Sequence, residues 1–336
     1  MGETRQRLEY VDILKGMGIL LVLVGHILPH DLSLKSALYA FHMPLFFVAY
    51  GMVARPLPVS SLLRRRSASL LIPYLFWGLA FSGMRLSKKC LLLLYGSGES
   101  IRLAGSNGML WFLVTMFLGA FLANFVLGIA QDKHDSAAKT LIVAVALGFL
   151  LISMVLNHWH EAPLWHRHEL GLPLGLDVSF LAASFILAGH FLAWLISRCG
   201  KSPGRMSLVI GLVATCGFSF VGSKVNTGFG NYPSMQVYRL GSAPTYWFFS
   251  ILACYGMSIV ARALEKTPAR HQLVWLGQHS MAIFIVHKPV RDLLVPSLSR
   301  HYSLGHYLYA YAVVLIAATC CAYVLDKLAP KLIGRR

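Results

Sequence analysis

Residues 10–30 read YVDILKGMGILLVLVGHILPH and residues 38–51 read LYAFHMPLFFVAYG. Two apolar stretches of spanning length therefore carry Asp12, Lys15, His26 and His42 within them. Ionisable side chains inside a membrane span are costly, and they mark a functional site with a partner to be named. Their spacing adds to this. At about 100° per residue, Lys15 and His26 lie only about 20° apart around a helix, and Asp12 and His26 about 40° apart. All three share one face, in a polar stripe on the order of 20 Å long, near the thickness of the hydrocarbon layer.

The composition extends this reading to the whole chain. Of the 336 residues 57% are hydrophobic and only 13% charged, and the mean hydropathy is +0.63. That excludes a soluble domain and implies a polytopic, all-α transmembrane helix bundle. No repeat, low-complexity tract or linker divides it, so residues 1–336 are read as one domain. Apolar segments fall at about 11–29, 36–54, 68–84, 109–130, 139–156, 175–197, 206–222, 244–263, 272–292 and 305–328, about ten spans of the ~20 residues a bilayer requires. The first lacks a small-residue cleavage site and reads as a span rather than a removed signal peptide. With both termini inside, eighteen basic residues fall on the inner side and eleven on the outer, Lys15 lying within the first span. This excess predicts N-in, C-in. The net charge of +17 is then a topology signal and an affinity for anionic membrane lipids, with no call for nucleic acid.

Residues 85–108 resist the scheme. They hold Arg85, Lys88 and Lys89, the short apolar run Cys90–Tyr95 and a Gly/Ser-rich stretch, which predicts an interfacial or re-entrant piece. The six cysteines form no CxxC and offer no outer pair for a disulfide. His158, His160, His166 and His168 crowd one loop beside Trp159 and Trp165, where an interfacial loop is the expectation and no metal site is assigned.

The two opening blocks resemble the integral-membrane acyltransferase family of type three, and within it the fucose 4-O-acetylase-like branch. The hallmark is a basic residue, ten intervening positions and a histidine, here Lys15 and His26. The resemblance continues through SLLIPYLFWG at 69–78, LWFL at 110–113, LPLGLD at 172–177, FILAGHFL at 185–192 and GQHSMAIFIVHKP at 277–289. It implies an enzyme of a bacterial cytoplasmic (inner) membrane that takes an acyl group, usually acetyl, from cytoplasmic acyl-coenzyme A. The group passes to a sugar hydroxyl of a lipid-linked or exported glycan. Acetyl-coenzyme A is then a donor substrate, and no permanently bound cofactor is expected. By this likeness His26 is the catalytic histidine, His42 a second essential one, and the basic cluster Arg64, Arg65 and Arg66 a site for the donor's phosphates. The family's pair of arginines three apart is replaced here by three in succession, so the likeness does not say which of them bind.

The chemistry partly stands alone. Acyl transfer to an alcohol needs a base near neutrality, which imidazole supplies. Asp12 and Lys15 lie about 21 and 16 Å from His26 along an ideal axis, too far for a triad. They either meet the donor at the cytoplasmic mouth or form a structural ion pair, which their three-residue spacing allows. His42 is catalytic or an interhelical hydrogen bond. His287, beside Lys288 and Pro289, is a candidate for the acceptor cavity. Trp111 either stacks on a sugar ring or anchors the interface, and Asp177 either accepts sugar hydroxyls or caps a helix. Three arginines are also what an inner loop would carry for topology alone. Two other classes fit less well: a transporter or flippase of lipid-linked sugars, for which the expected internal repeat is missing, and a non-enzymatic subunit of an export complex.

Overall fold

The computed structural model describes residues 8–28, 33–82, 88–104, 108–161, 170–198, 204–226, 232–236, 238–295 and 303–335. Among the described residues, eight segments are long and apolar enough to cross a membrane: Glu9–Ile27, Ser33–Val53, Gly108–Gln131, Asp135–Trp159, Pro173–Arg198, Met206–Val225, Ala243–Leu264 and Leu304–Leu328. The described residues are otherwise helices and connections without a strand, and one antiparallel bridge joins Ser234 to Arg239. The fold is all-α, as expected. Helix α1 (Glu9–Ile27) and the segment Ser33–Val53 are the most enclosed, 67% and 78% buried, whereas Leu304–Leu328 is only 22% buried. The stripe of Asp12, Lys15 and His26 thus belongs to a central helix. The peripheral helices carry exposed side chains such as Leu151, Val155, Val213, Leu308 and Ile316, the apolar surface a lipid-facing wall requires.

Three segments expected as continuous are interrupted. Ser33–Val53 is two helices, α2 (Ser33–Tyr39) and α3 (His42–Val53), because Pro44 has no N–H to give to the Ala40 carbonyl. Freed carbonyls find other donors. The His42 ring reaches Leu38 O through Nδ1 at 2.7 Å, Tyr246 Oη donates to Tyr39 O at 3.3 Å, and Ser250 Oγ to Ala40 O at 2.5 Å. The region expected at 68–84 begins earlier, as α4 (Val59–Arg66), and joins α5 (Ile72–Phe81) through the π turn Ser67–Leu71. Pro73 cannot donate to Ser69 O, and widening the turn relieves the clash of its ring. Residues 272–292 are split into α13 (Arg270–Gln278) and α14 (Ser280–Leu294) at His279. The His279 ring takes Trp275 O through Nδ1 at 2.8 Å, the same device as at His42.

The segment 85–108 folds, where described, as α6 (Lys88–Tyr95) and α7 (Gly98–Leu103), both far short of a span. Tyr74 Oη donates to Leu93 O at 2.5 Å, fastening α6 to α5, and Ser97 Oγ caps α7 by accepting from Ser100 N at 3.1 Å. Gly98 and Gly108 lie against Gln236, so this piece supports the stretch 232–236 from beneath.

Helix α1 is bound to the broken pair α13 and α14. Its N-terminal end is held by Arg270, whose Nε lies 2.6 Å from Glu9 Oε2 and whose second nitrogen donates to Oε1 at 2.9 Å, and Tyr10 N donates to Glu265 Oε1 at 3.1 Å. Gly16 and Gly277 then let the backbones meet. A Cβ at Gly16 would collide with the Leu273 carbonyl, and one at Gly277 with the carbonyl of Asp12. At the other end Arg291 donates to His26 O at 2.8 Å.

Candidate functional site

Two cavities lie along the polar stripe of α1. The larger, about 970 Å³, is lined by Asp12, Lys15, Arg55, Arg66 and His190 together with apolar side chains from α3, α8 (Trp111–Gln131) and α14. Lys15 Nζ stands 2.6 Å from Asp12 Oδ1, so the ion pair their spacing allows is made, and it is made on the wall of this cavity. Arg66 places its guanidinium 4.6 Å from the centre of the Tyr50 ring, and its buried Nε has no hydrogen-bond partner among the described residues. Arg64 and Arg65 face outward and do not line the cavity. Arg55 and His190, which sequence reasoning passed over, do. His190 sits on α10 (Leu176–Arg198), where α10 packs against α3. With Lys15, Arg55 and Arg66 against one carboxylate, this space suits a ligand with an anionic head and an apolar tail.

The smaller cavity, about 40 Å³, is lined by His26, Tyr39, His42, Trp111, Gln236 and Phe284 among others. His26 is half-buried, and its ring centroid lies 6.1 Å from that of Tyr39 and 5.3 Å from that of His287. His287 is 1% exposed; its Nδ1 reaches Phe284 O at 2.8 Å, and Nε2 has no hydrogen-bond partner among the described residues. An Nδ1–H donated to a carbonyl fixes the tautomer and leaves Nε2 with a free lone pair, and the same holds for His42. Three histidines are thus linked ring to ring, His42 to His26 through Tyr39, whose centroid lies 4.7 Å from that of His42, and His26 to His287 directly. The other charged groups facing His26 are Arg291 and Lys35, both basic. Lys35 donates to Leu28 O at 3.1 Å and lies 5.6 Å from the ring centres of Tyr39 and Tyr232.

Trp111 lines this smaller cavity, 5% exposed, so it points inward rather than to a membrane interface. Asp177 lines neither cavity. Its carboxylate, in the first turn of α10, accepts from Val178 N at 2.9 Å and Leu172 N at 3.2 Å. Pro233, Ser234, Met235 and Gln236, another group not foreseen, close the cavity. Their turn is held by the Ser234–Arg239 bridge and by Tyr238, which adopts φ 52° and donates from Oη to Ser153 O at 2.8 Å. Of the loop histidines, residues 166 and 168 and the side chain of His160 lie outside the described residues.

Chemically, the smaller cavity offers imidazole lone pairs beside an indole face and an amide, a setting for proton abstraction from a hydroxyl. The larger offers cationic groups, Lys15 from the same helix as His26, with Arg55 and Arg66 from beyond α3. Against known proteins, the family model described as an acyltransferase domain matches residues 8–327. No curated protein matches the chain.

Proposed function

Since the chain belongs to the acyltransferase 3 family of membrane proteins, we propose that it moves an acyl group, acetyl in the simplest case, from acyl-coenzyme A to a sugar hydroxyl of a surface or exported glycan. The observation that carries this is the pairing of spaces along one helix. Lys15 lies on the wall of a basic cavity large enough for a nucleotide thioester, and His26 on the wall of a small one that holds two of the three clustered histidines and a tryptophan. In this reading the donor's phosphates meet Arg55, Arg66 and Lys15, and its pantetheine arm runs along the apolar wall toward His26. The fucose 4-O-acetylase-like branch is proposed on the lysine at the first hallmark position and the block GQHSMAIFIVHKP.

The reaction needs one proton moved twice. His26 takes the proton of the acceptor hydroxyl as its oxygen attacks the thioester carbonyl. The tetrahedral intermediate collapses, the C–S bond breaks, and the imidazolium returns the proton to the departing thiolate. Trp111 gives the sugar a face to stack on, and Gln236 hydrogen-bonds its hydroxyls. Donor entry from the cytoplasmic side, with both termini there, is supported by the basic excess on that side.

Membranes containing the protein, supplied with radiolabelled acetyl-coenzyme A and the host's glycan fraction, provide the test. His26→Gln keeps a hydrogen-bonding side chain of similar reach but accepts no proton, and transfer should fall at least 100-fold while coenzyme A still binds. Near-normal turnover in that variant would reduce His26 to a structural residue.

A further inference from the structure

Among the described residues, Phe284 is the one side chain common to the linings of both cavities. It sits on α14, 5% exposed, with its ring centroid 5.9 Å from His287 and 5.4 Å from Phe112. Phe112 belongs to the larger cavity and continues the wall, 5.0 Å from Phe47 and 6.2 Å from Trp111, which belongs to the smaller one. Between the basic space and the histidines there is therefore an aromatic partition. It passes no phosphate and favours no water, but an apolar chain end could press through it.

Resting on the acyltransfer reading, we infer that Phe284 is the specificity-determining gate of this partition: the acyl end of the donor passes its ring to reach His26, and the room beside the ring sets the longest acyl group accepted. Two consequences follow from geometry. A ring closed over the histidine side keeps water from the thioester until an acceptor hydroxyl occupies the smaller cavity. Truncating the ring joins the two spaces, so longer acyl groups fit and water gains entry. The leak is ordinary thioester hydrolysis, in which water adds to the carbonyl, the C–S bond breaks, and a carboxylic acid and the coenzyme A thiol are released.

The experiment compares the parent protein with Phe284→Ala, Phe284→Leu and Phe284→Trp, each purified in lipid nanodiscs and checked for a single folded peak. Acetyl-, butyryl- and hexanoyl-coenzyme A are supplied with the host's glycan fraction, and release of free thiol is also followed without glycan. The Ala variant should raise kcat/KM for butyryl relative to acetyl by roughly tenfold or more, the scale of methylene discrimination in apolar pockets. It should also release thiol without acceptor several-fold faster than the parent. Leu should move the same way by less, and Trp should lower the butyryl-to-acetyl ratio below the parent's, so the test stands even where Ala does not fold. An active parent whose chain-length ratio and thiol release are unchanged in the folded variants overturns the gate alone. A parent that transfers from none of the three donors overturns the acyltransfer reading, and the gate with it.

Discussion

Arg66 differs from its neighbours by where its side chain goes. Arg64 and Arg65 are exposed, while Arg66 turns under Tyr50 onto the wall of the larger cavity with a buried Nε that has no partner among the described residues. A charged hydrogen bond contributes about 1.5–3 kcal/mol, so Arg66→Gln should raise KM for acetyl-coenzyme A by roughly tenfold to a hundredfold. Arg64→Gln and Arg65→Gln should each stay within about twofold, as exposed charges usually do. Initial rates at varied donor and fixed glycan check this, and an equal rise in both substrates' KM would signal misfolding instead. Three consecutive arginines give no hint in sequence of which one turns inward, because that depends on the π turn that follows. The stripe of Asp12, Lys15 and His26 was legible because helical period alone places it. His190, Arg55, Phe284 and Gln236 were not, because only packing between distant elements brings them to the cavities. Asp177 was legible only as a choice, and its carboxylate is bonded to the backbone amides of Leu172 and Val178.

At the scale of elements, the C-terminal turn Pro330–Ile333 is built onto α5, which the π turn joins to the helix that carries Arg66. Trp77 Nε1 donates to Leu332 O at 2.8 Å, and Ile333 is buried. Gly334 has φ 72°, with its backbone against the Ser69 carbonyl that Pro73 leaves without a partner amide. Arg335 then ion-pairs with Asp326 and donates to Gln278 O at 2.7 Å, tying the turn to the break at His279. Gly334→Val meets both a strained φ, costing about 1–2 kcal/mol, and a collision with Ser69. Its apparent Tm in detergent should fall by several degrees, and KM for the donor should rise as the π turn and Arg66 shift. An unchanged Tm would show that the turn is not anchored there. The helices themselves were evident from hydropathy. Their interruptions were not, because a proline such as Pro44 or Pro73 signals a possible break, while what accommodates it lies elsewhere, as the Ser250 hydroxyl does for Ala40 O.

The whole molecule was the most legible scale, since a mean hydropathy of +0.63 leaves a helix bundle as the economical solution in a bilayer. Its orientation is the matching prediction. A reporter fused after Arg336 should report from the cytoplasm, the side for both ends that the basic excess in the sequence predicts. A signal from the opposite side would mean an odd number of crossings, with the interrupted segments 59–81 and 270–294 the first to re-examine. Those interruptions bear on how the molecule moves. Helix α1 is fastened at one end by the Glu9–Arg270 fork and the Gly16–Gly277 interlock, and at the other by Arg291 on His26 O. The two attachments join it to both halves of a helix that is itself hinged at His279. Because Arg291 and Phe284 share α14, the clamp on His26 O makes Phe284 and His26 one mechanical unit, while the opposite end of α1 is clamped to α13 instead.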